Sequence, residues 1–515
     1  MDRTEPYARR WWALGVLCFS LIVIGLDNTI LNVALPSLVR DLGAGASELQ
    51  WMVEAYILVF AGLLLTMGAL GDRFGRKRAL QVGLLVFLSG SVSSAFAASP
   101  QMLIAARGLM GVGGALIMPS TLSIITNIFP PRERGRAIAL WAAFAGLGIV
   151  VGPVVGGWLL ERFWWGSVFL INVPVIAFAL AAGQVLVPES KDPAATPLDP
   201  VGALLSIAGL VALVYGIIEA PAHGWTSGST LGALGLGLAL MAVFTAWERR
   251  SAHPMLRMEF FRNPRFSAAS IAVMLVFFAL FGTVFLLTQY LQFVLGLTPL
   301  EAGIRLMTVS TMIVFAPLSA RLVERLGTKA VVTAGLVLVA GSLWVIAGTS
   351  PADTFVRIGI ATAMLGAGMG TTMAPATESI MGSLPLGKAG VGSAMNDTTR
   401  QVGGALGVAV LGSVLSSAYA SEIGPALAGL PAQAASAAAD SIGATLRVAQ
   451  QLGPAGGPVA EAARAAFVHA MSPPVMIASA VALLGAVVAL VFLPSRAPAR
   501  DQGGAARLEP VEERA

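Results

Sequence analysis

Apolar runs of about twenty residues repeat from one end of this chain to the other, separated by short charged or Gly/Pro-rich breaks. Each run is close to the roughly 20 residues that an α-helix needs to cross a bilayer. Hydrophobic residues fill 56% of the 515 positions and charged residues only 11%, with a mean hydropathy of +0.81. A water-soluble fold of this size has nowhere to hide so much apolar surface, so the solvent for most of the chain is lipid.

The breaks divide the runs into fourteen predicted helices, near 11–35, 49–70, 79–98, 101–126, 136–160, 165–187, 199–219, 229–248, 266–292, 300–323, 330–349, 355–381, 389–416 and 472–493. Between the second and third lies Gly68-Ala-Leu-Gly-Asp72-Arg73-Phe-Gly75-Arg76-Lys77, followed by Arg78. So short and basic a loop belongs on the cytoplasmic side. It places both termini there too, with Arg132, Arg134, Arg136, Arg249, Arg250 and Arg257. The net charge of +5 then reads as membrane topology. The bases form no stripe and no aromatics interleave them, so a nucleic-acid partner is not expected. Cys18 is the single cysteine and excludes an intrachain disulfide. The first run is too long for a signal peptide and lacks a small-residue cleavage site, so it is read as a retained helix. Residues 418–472, rich in Ala, Gly and Pro, fall outside and are expected to carry short amphipathic helices. The polar tail 496–515 is expected to be disordered and cytoplasmic.

The two halves echo one another. Asp72-Arg-Phe-Gly75-Arg-Lys77 matches Glu324-Arg-Leu-Gly327-Thr-Lys329, and Gly135-Arg136-Ala137 matches Gly387-Lys388-Ala389. Gly152 matches Gly404, and Met118-Pro119-Ser120-Thr121 resembles Ala374-Pro375-Ala376-Thr377. Four matches in chain order at nearly one offset point to duplication. The predicted architecture is all-α and membrane-embedded. It has an N-terminal six-helix bundle (1–190), a two-helix insert with cytoplasmic flanks (191–260) and a C-terminal six-helix bundle (261–495).

The loop at 68–77 resembles the loop motif of the major facilitator superfamily. Arg107-Gly-Leu-Met-Gly111-Val-Gly-Gly-Ala115 resembles the family's fourth-helix motif, with Met110 in place of the usual Gln. Gly148-Ile-Val-Val-Gly152-Pro153-Val-Val-Gly156-Gly157 is similar to the fifth-helix motif of antiporters. Leu26-Asp27-Asn28-Thr29-Ile30-Leu31-Asn32-Val33-Ala34-Leu35-Pro36 is similar to the first-helix motif of the fourteen-helix drug:proton antiporter branch. The resemblance implies the major facilitator fold and export in exchange for protons. In the family the loop aspartate contacts the facing bundle and holds the inner side shut. That implies a gating role for Gly68, Asp72, Arg73, Gly75 and Arg76, with the start of the thirteenth helix (390–392) facing Asp72. Glu324 and Gly327 are the matching pair in the second half.

Charges within the membrane are costly unless paired or hydrated. Asp27, Glu54 and Arg107 all fall a few turns below the outer surface if Pro36 closes the first helix, which makes a proton-coupling cluster. In that cluster Asp27 leads, Glu54 assists and Arg107 tunes; the alternative is an ion pair that only fixes packing. Gly148, Gly152 and Gly156 share one helix face, and Pro153 bends that helix. They serve either as close packing or as a seal between bundles. Asp397 and Arg400 pair along one face. Substrate-contact candidates are Asn28, Asn32, Phe281, Phe285, Tyr290, Gln292 and Glu378. No metal site is expected from His223, His253 and His469, which fall in loops or at span ends.

The reading is a monomeric secondary transporter, not an enzyme, in a bacterial cytoplasmic membrane. It exports amphiphilic, cationic or zwitterionic small molecules, driven by the proton gradient without a cofactor. A dedicated exporter of one metabolite or antibiotic is the nearest alternative, and an uptake symporter stands further off. No Gly-rich Lys-Ser/Thr loop for nucleotide is present, which disfavours ATP-driven pumping.

Overall fold

The computed structural model describes residues 8–191, 198–350, 355–384 and 389–495. Helices α1 (Arg10–Leu42), α2 (Ala46–Phe74), α3 (Arg76–Ala95), α4 (Pro100–Ile128) and α5 (Pro131–Arg162) are followed by a short α6 (Ser167–Leu170) and α7 (Asn172–Leu186). Two more, α8 (Pro200–His223) and α9 (Gly228–Arg250), precede α10 (Pro264–Gln289), α11 (Pro299–Leu306), α12 (Met312–Ala347) and α13 (Phe355–Gly382). The long α14 (Ala389–Leu427) leads through α15 (Ala432–Ala439) and α16 (Ile442–Gln451) to α17 (Gly457–Phe492). Among the described residues there is no strand, and 12 helical stretches are long and apolar enough to cross a membrane.

Local chemistry sets the boundaries. Pro100 opens α4 behind Ser99, whose hydroxyl accepts from the Met102 N–H. Pro299 opens α11 behind a Thr298/Glu301 capping box. Gly43, at φ 68, ends α1 in the left-handed region that glycine adopts freely.

The internal repeat is visible in the backbone. Gly75 (φ 122) separates α2 from α3, and Gly327 (φ 82) breaks α12 at the matching position. The Arg76 N–H, next to Gly75, donates to the Ser190 carbonyl just beyond α7. A Cβ on Gly327 would strike the Ser495 carbonyl just beyond α17. Each half thus folds its loop onto the end of its own last helix. The Gly387-Lys388 match and the tail 496–515 lie outside the described residues.

Helix α1 packs on α5, α2 and α3 on α4, and α7 on α1 and α3. In the second half α10 packs on α14, α12 on α13, and α17 on both α12 and α14. Of the insert, α8 rests against α2 and α14, while α9 rests mainly on α8 and leaves Leu231, Leu236 and Leu238 exposed. The two sets of helices meet through α5 with α11, α2 with α14, and α1 with α10. The contacts at Gly157 with Leu300, Gln50 with Ser413 and Gln292 with Val33 all lie in the half of the molecule away from the loop at 68–77.

Three boundaries differ from those expected. Pro36 does not end the first helix: it sits inside α1, which runs on to Leu42. Helix α14 continues to Leu427 and α17 begins at Gly457, so most of 418–472 is helical. Proline removes one donor and bends a helix, and packing on both sides carries the helix through it.

Candidate functional site

Asp27 lies within one residue of the middle of α1, deeper than a helix closed at Pro36 implies. Its Oδ2 is 2.5 Å from Nη1 of Arg107 on α4, with both side chains buried to within 1%. Arg107 also donates from Nε to the Met52 carbonyl at 3.0 Å, and its guanidinium lies 4.6 Å from the Tyr56 ring centroid. The planar fork thus meets a carboxylate, a carbonyl and an aromatic face at once, a combination its several donors and flat face suit. The second Asp27 oxygen and the Tyr56 hydroxyl are buried without a hydrogen-bond partner.

Glu54 does not join this cluster. Met52 and Tyr56 are four apart on α2 and present one face to Arg107; a residue midway between them points to the other side. Glu54 is fully buried beside the Ala409 backbone of α14, with neither carboxylate oxygen hydrogen-bonded. One turn earlier on that same face, Gln50 accepts from the Ser413 hydroxyl of α14 at 3.2 Å. The two acidic side chains therefore occupy different sites: Asp27 inside the first set of helices, Glu54 at the contact between the sets.

The glycine stripe of α5 admits α1. A Cβ on Gly148 would lie 2.9 Å from the Gly25 Cα, and one on Gly156 would lie 2.6 Å from Ile30 Cγ1. Gly152 faces Thr29 in the same row. The stripe is packing within the first set of helices; the contact with the second set comes from Pro153 and Gly157. A Cβ on Gly303 of α11 would run into the Pro153 carbonyl, and one on Gly157 would lie 2.5 Å from the Leu300 Cα.

A pocket lies beside this contact, lined by Thr29, Asn32, Pro153, Phe281, Val309 and Met312 among others. The Asn32 side-chain oxygen is buried and unpartnered, as is that of Asn28 one turn earlier. Phe277 packs edge-on against Phe281, with centroids 5.7 Å apart. Phe285, one turn further along α10, lines a separate pocket. Tyr290, Gln292 and Glu378 lie outside the central cavity. Tyr290 is buried where α10 gives way to a π-turn, and Gln292 donates to the Val33 carbonyl at 2.9 Å across the two sets. Glu378 is exposed and faces Arg265.

The gating candidates are held locally. Asp72 pairs with Arg76 at 2.7 Å, within its own loop, and the side chains at its expected partner, 390–391, lie outside the described residues. Arg73 stacks over Phe74, and Gly68 packs against Pro119. Glu324 is exposed and makes no ion pair among the described residues. Asp397 lies 3.6 Å from Arg400, whose guanidinium stands 5.6 Å from the Phe277 centroid and reaches Thr377 at 3.5 Å. No group of three His, Cys, Asp or Glu suited to a metal occurs among the described residues.

Sequence reasoning passed over Tyr56, Thr29 and Gly157. Tyr56 was signalled by its spacing of four from Met52, and Gly157 by its place beside the motif glycine. Thr29 has no local signal, because its partner carbonyl is on another helix.

The family model described as Major Facilitator Superfamily matches residues 17–408. The chain belongs to the major facilitator superfamily. It is a multi-pass membrane transporter and not an enzyme. It is similar to the multidrug efflux pump LfrA of Mycolicibacterium smegmatis, with 38% identity over 94% of this chain and 96% of that one. The tetracenomycin C resistance and export protein of Streptomyces glaucescens is 34% identical, covering 94% and 91%. The methyl viologen resistance protein SmvA of Salmonella typhimurium is 35% identical, covering 93% and 97%. Among solved structures, a bacterial homologue of the lysosomal transporter Spinster superposes with a TM-score of 0.66 at 18% identity, over 95% of this chain and 100% of that one. That last likeness concerns the fold.

Proposed function

We propose that this superfamily member is a proton-coupled exporter of amphiphilic drugs, cationic or zwitterionic, in the bacterial cytoplasmic membrane. The observation that carries the reading is the buried Asp27–Arg107 pair, set on the helix whose next turn, Thr29 and Asn32, lines the central cavity. A proton arriving at Asp27 breaks its charge balance with Arg107 and changes the packing of α1 on α4 and α5. Glu54, buried and unpaired at α14, offers a second place for a proton at the contact that must open. Relatives named for multidrug efflux and for methyl viologen resistance, methyl viologen being an organic dication, support export of cations.

The topology that goes with this is fourteen passes with both termini inside. In favour of that count, Gly327 breaks the 49-residue stretch Pro299–Ala347, and α13 is 28 residues long. The domains are then 1–190, 191–260 and 261–495. The pump works as a monomer by rocking one bundle against the other, with no cofactor. Each proton crossing inward yields about 2.3 kcal/mol per 100 mV.

Export of a single compound is the second reading, favoured by the tetracenomycin relative. Everted vesicles separate these readings. With a pH gradient imposed, wild type should take up several unrelated organic cations and discharge the gradient, while Asp27→Asn does neither. Uptake of one compound alone favours the dedicated exporter, and gradient-independent uptake overturns the coupling.

A further inference from the structure

The segment between α14 and α17 packs across the end of the molecule opposite the loop at 68–77, and a pocket lies directly beneath it. Hairpin α15–α16 rests on both sets of helices. On the first set, the Asp440 carboxylate accepts from the Ala46 N–H at the start of α2, at 2.8 Å. Gly443 sits between Val39 of α1 and Phe293; a Cβ there would lie 2.5 Å from the valine methyl and 3.0 Å from the ring. On the second set, Thr445 Oγ1 is 2.7 Å from the Tyr419 hydroxyl of α14.

With the hairpin closed, the pocket beneath it is narrow, lined by Gln50, Phe285, Ser416, Tyr419, Asp440 and Phe467 among others. Three aromatic rings and a carboxylate are the features that hold a large organic cation: the rings present negative faces and the carboxylate balances charge. Phe285 reaches this cavity and Phe281 the central one, and the two are one helical turn, about 6 Å, apart. An organic cation leaving the central cavity thus has an aromatic track to the second.

We propose that this cavity is a second, exit-side station for the exported organic cation, with Asp440 its counter-charge and hairpin α15–α16 its lid. The proposal rests on the reading of the chain as an exporter of cations. In the closed arrangement the Asp440 carboxylate is engaged by the α2 N–H. When α2 and the hairpin part, that acceptor is released where the cation arrives. Charge, not only hydrogen bonding, is then required at position 440.

Asparagine keeps the acceptor for Ala46 and removes the charge, so it separates the counter-charge from a merely structural latch. With tetraphenylphosphonium as probe, Asp440→Asn and Asp440→Lys should each lower export by about fivefold or more, while Asp440→Glu retains it. Equal export by Asp440→Asn and wild type, with equal protein in the membrane, overturns the station and leaves the exporter reading intact. A second measurement needs no transport. A Ser416→Cys variant is labelled from outside with an impermeant maleimide; the native Cys18 is buried. Tetraphenylphosphonium should slow labelling several-fold, and this protection should be lost in Ser416→Cys/Asp440→Asn. Labelling unaffected by the probe overturns the proposal. If wild type exports no organic cation, the underlying reading fails and the station with it.

Discussion

The Thr29 hydroxyl donates a 3.0 Å hydrogen bond to the Ile149 carbonyl. That carbonyl is four residues before Pro153, which has no N–H to offer it. The bend that proline imposes on α5 is therefore completed from α1, two residues from Asp27. A change at Asp27 that shifts α1 is felt at once by the kinked helix that touches α11.

Replacing Thr29 by Val keeps the shape and removes the donor. Leaving a buried carbonyl unsatisfied costs about 1–3 kcal/mol. We expect Thr29→Val to melt several degrees lower than wild type in detergent, and Thr29→Ser to match it, as read by intrinsic fluorescence.

The facing glycines of α1 and α5 give a second test. A methyl group on Gly25 would come within 2.6 Å of the Ala145 carbonyl, and one on Gly148 within 2.9 Å of the Gly25 Cα. Either alanine forces the helices apart at a cost of about 1–3 kcal/mol. Both variants should show lower thermal stability and slower export. Alanine at Gly146, which has open space around it, should be neutral.

At the ion pair, removing one partner leaves the other charged and buried, which costs about 3–5 kcal/mol. Arg107→Ala should express poorly. The double change Asp27→Leu/Arg107→Met removes both charges and should recover a monodisperse peak on size exclusion without recovering transport. Recovery of transport as well would make the pair purely structural.

Glu54 and Asp27 occupy separate sites, so their losses should differ. Glu54→Gln keeps the packing against α14 and should slow export driven by a pH gradient while leaving counterflow exchange of drug intact. Asp27→Asn should lose the gradient-driven part entirely. Identical behaviour of the two variants, measured side by side in proteoliposomes, would argue for a single site.

Much of the architecture was legible because membrane helices announce themselves by length, and because Gly75 and Gly327 repeat a backbone break that only glycine makes cheaply. Asp27 and Arg107 were legible as buried charges that must find partners. Depth along a helix was the wrong guide for Glu54: rotation decides, and the positions of Met52 and Tyr56 turn it away from Arg107. Pro36 read as a stop because proline ends most helices, whereas packing on both sides of α1 carries it through. Asp72 was expected to reach across to the facing bundle; its charge is held by Arg76, one turn along its own loop. Gln292 read as a ligand contact because nothing in the chain foretells the π-turn that swings it onto the Val33 carbonyl.

The central claim is that Asp27 exchanges a proton for the drug. Its most direct test is the proton count on drug binding in lightly buffered detergent solution, followed with a pH-sensitive dye. Adding tetraphenylphosphonium to wild type should release protons in proportion to the drug bound, while the monodisperse fraction of Asp27→Asn, at matched bound drug, should release few or none. Full release from Asp27→Asn would contradict the account.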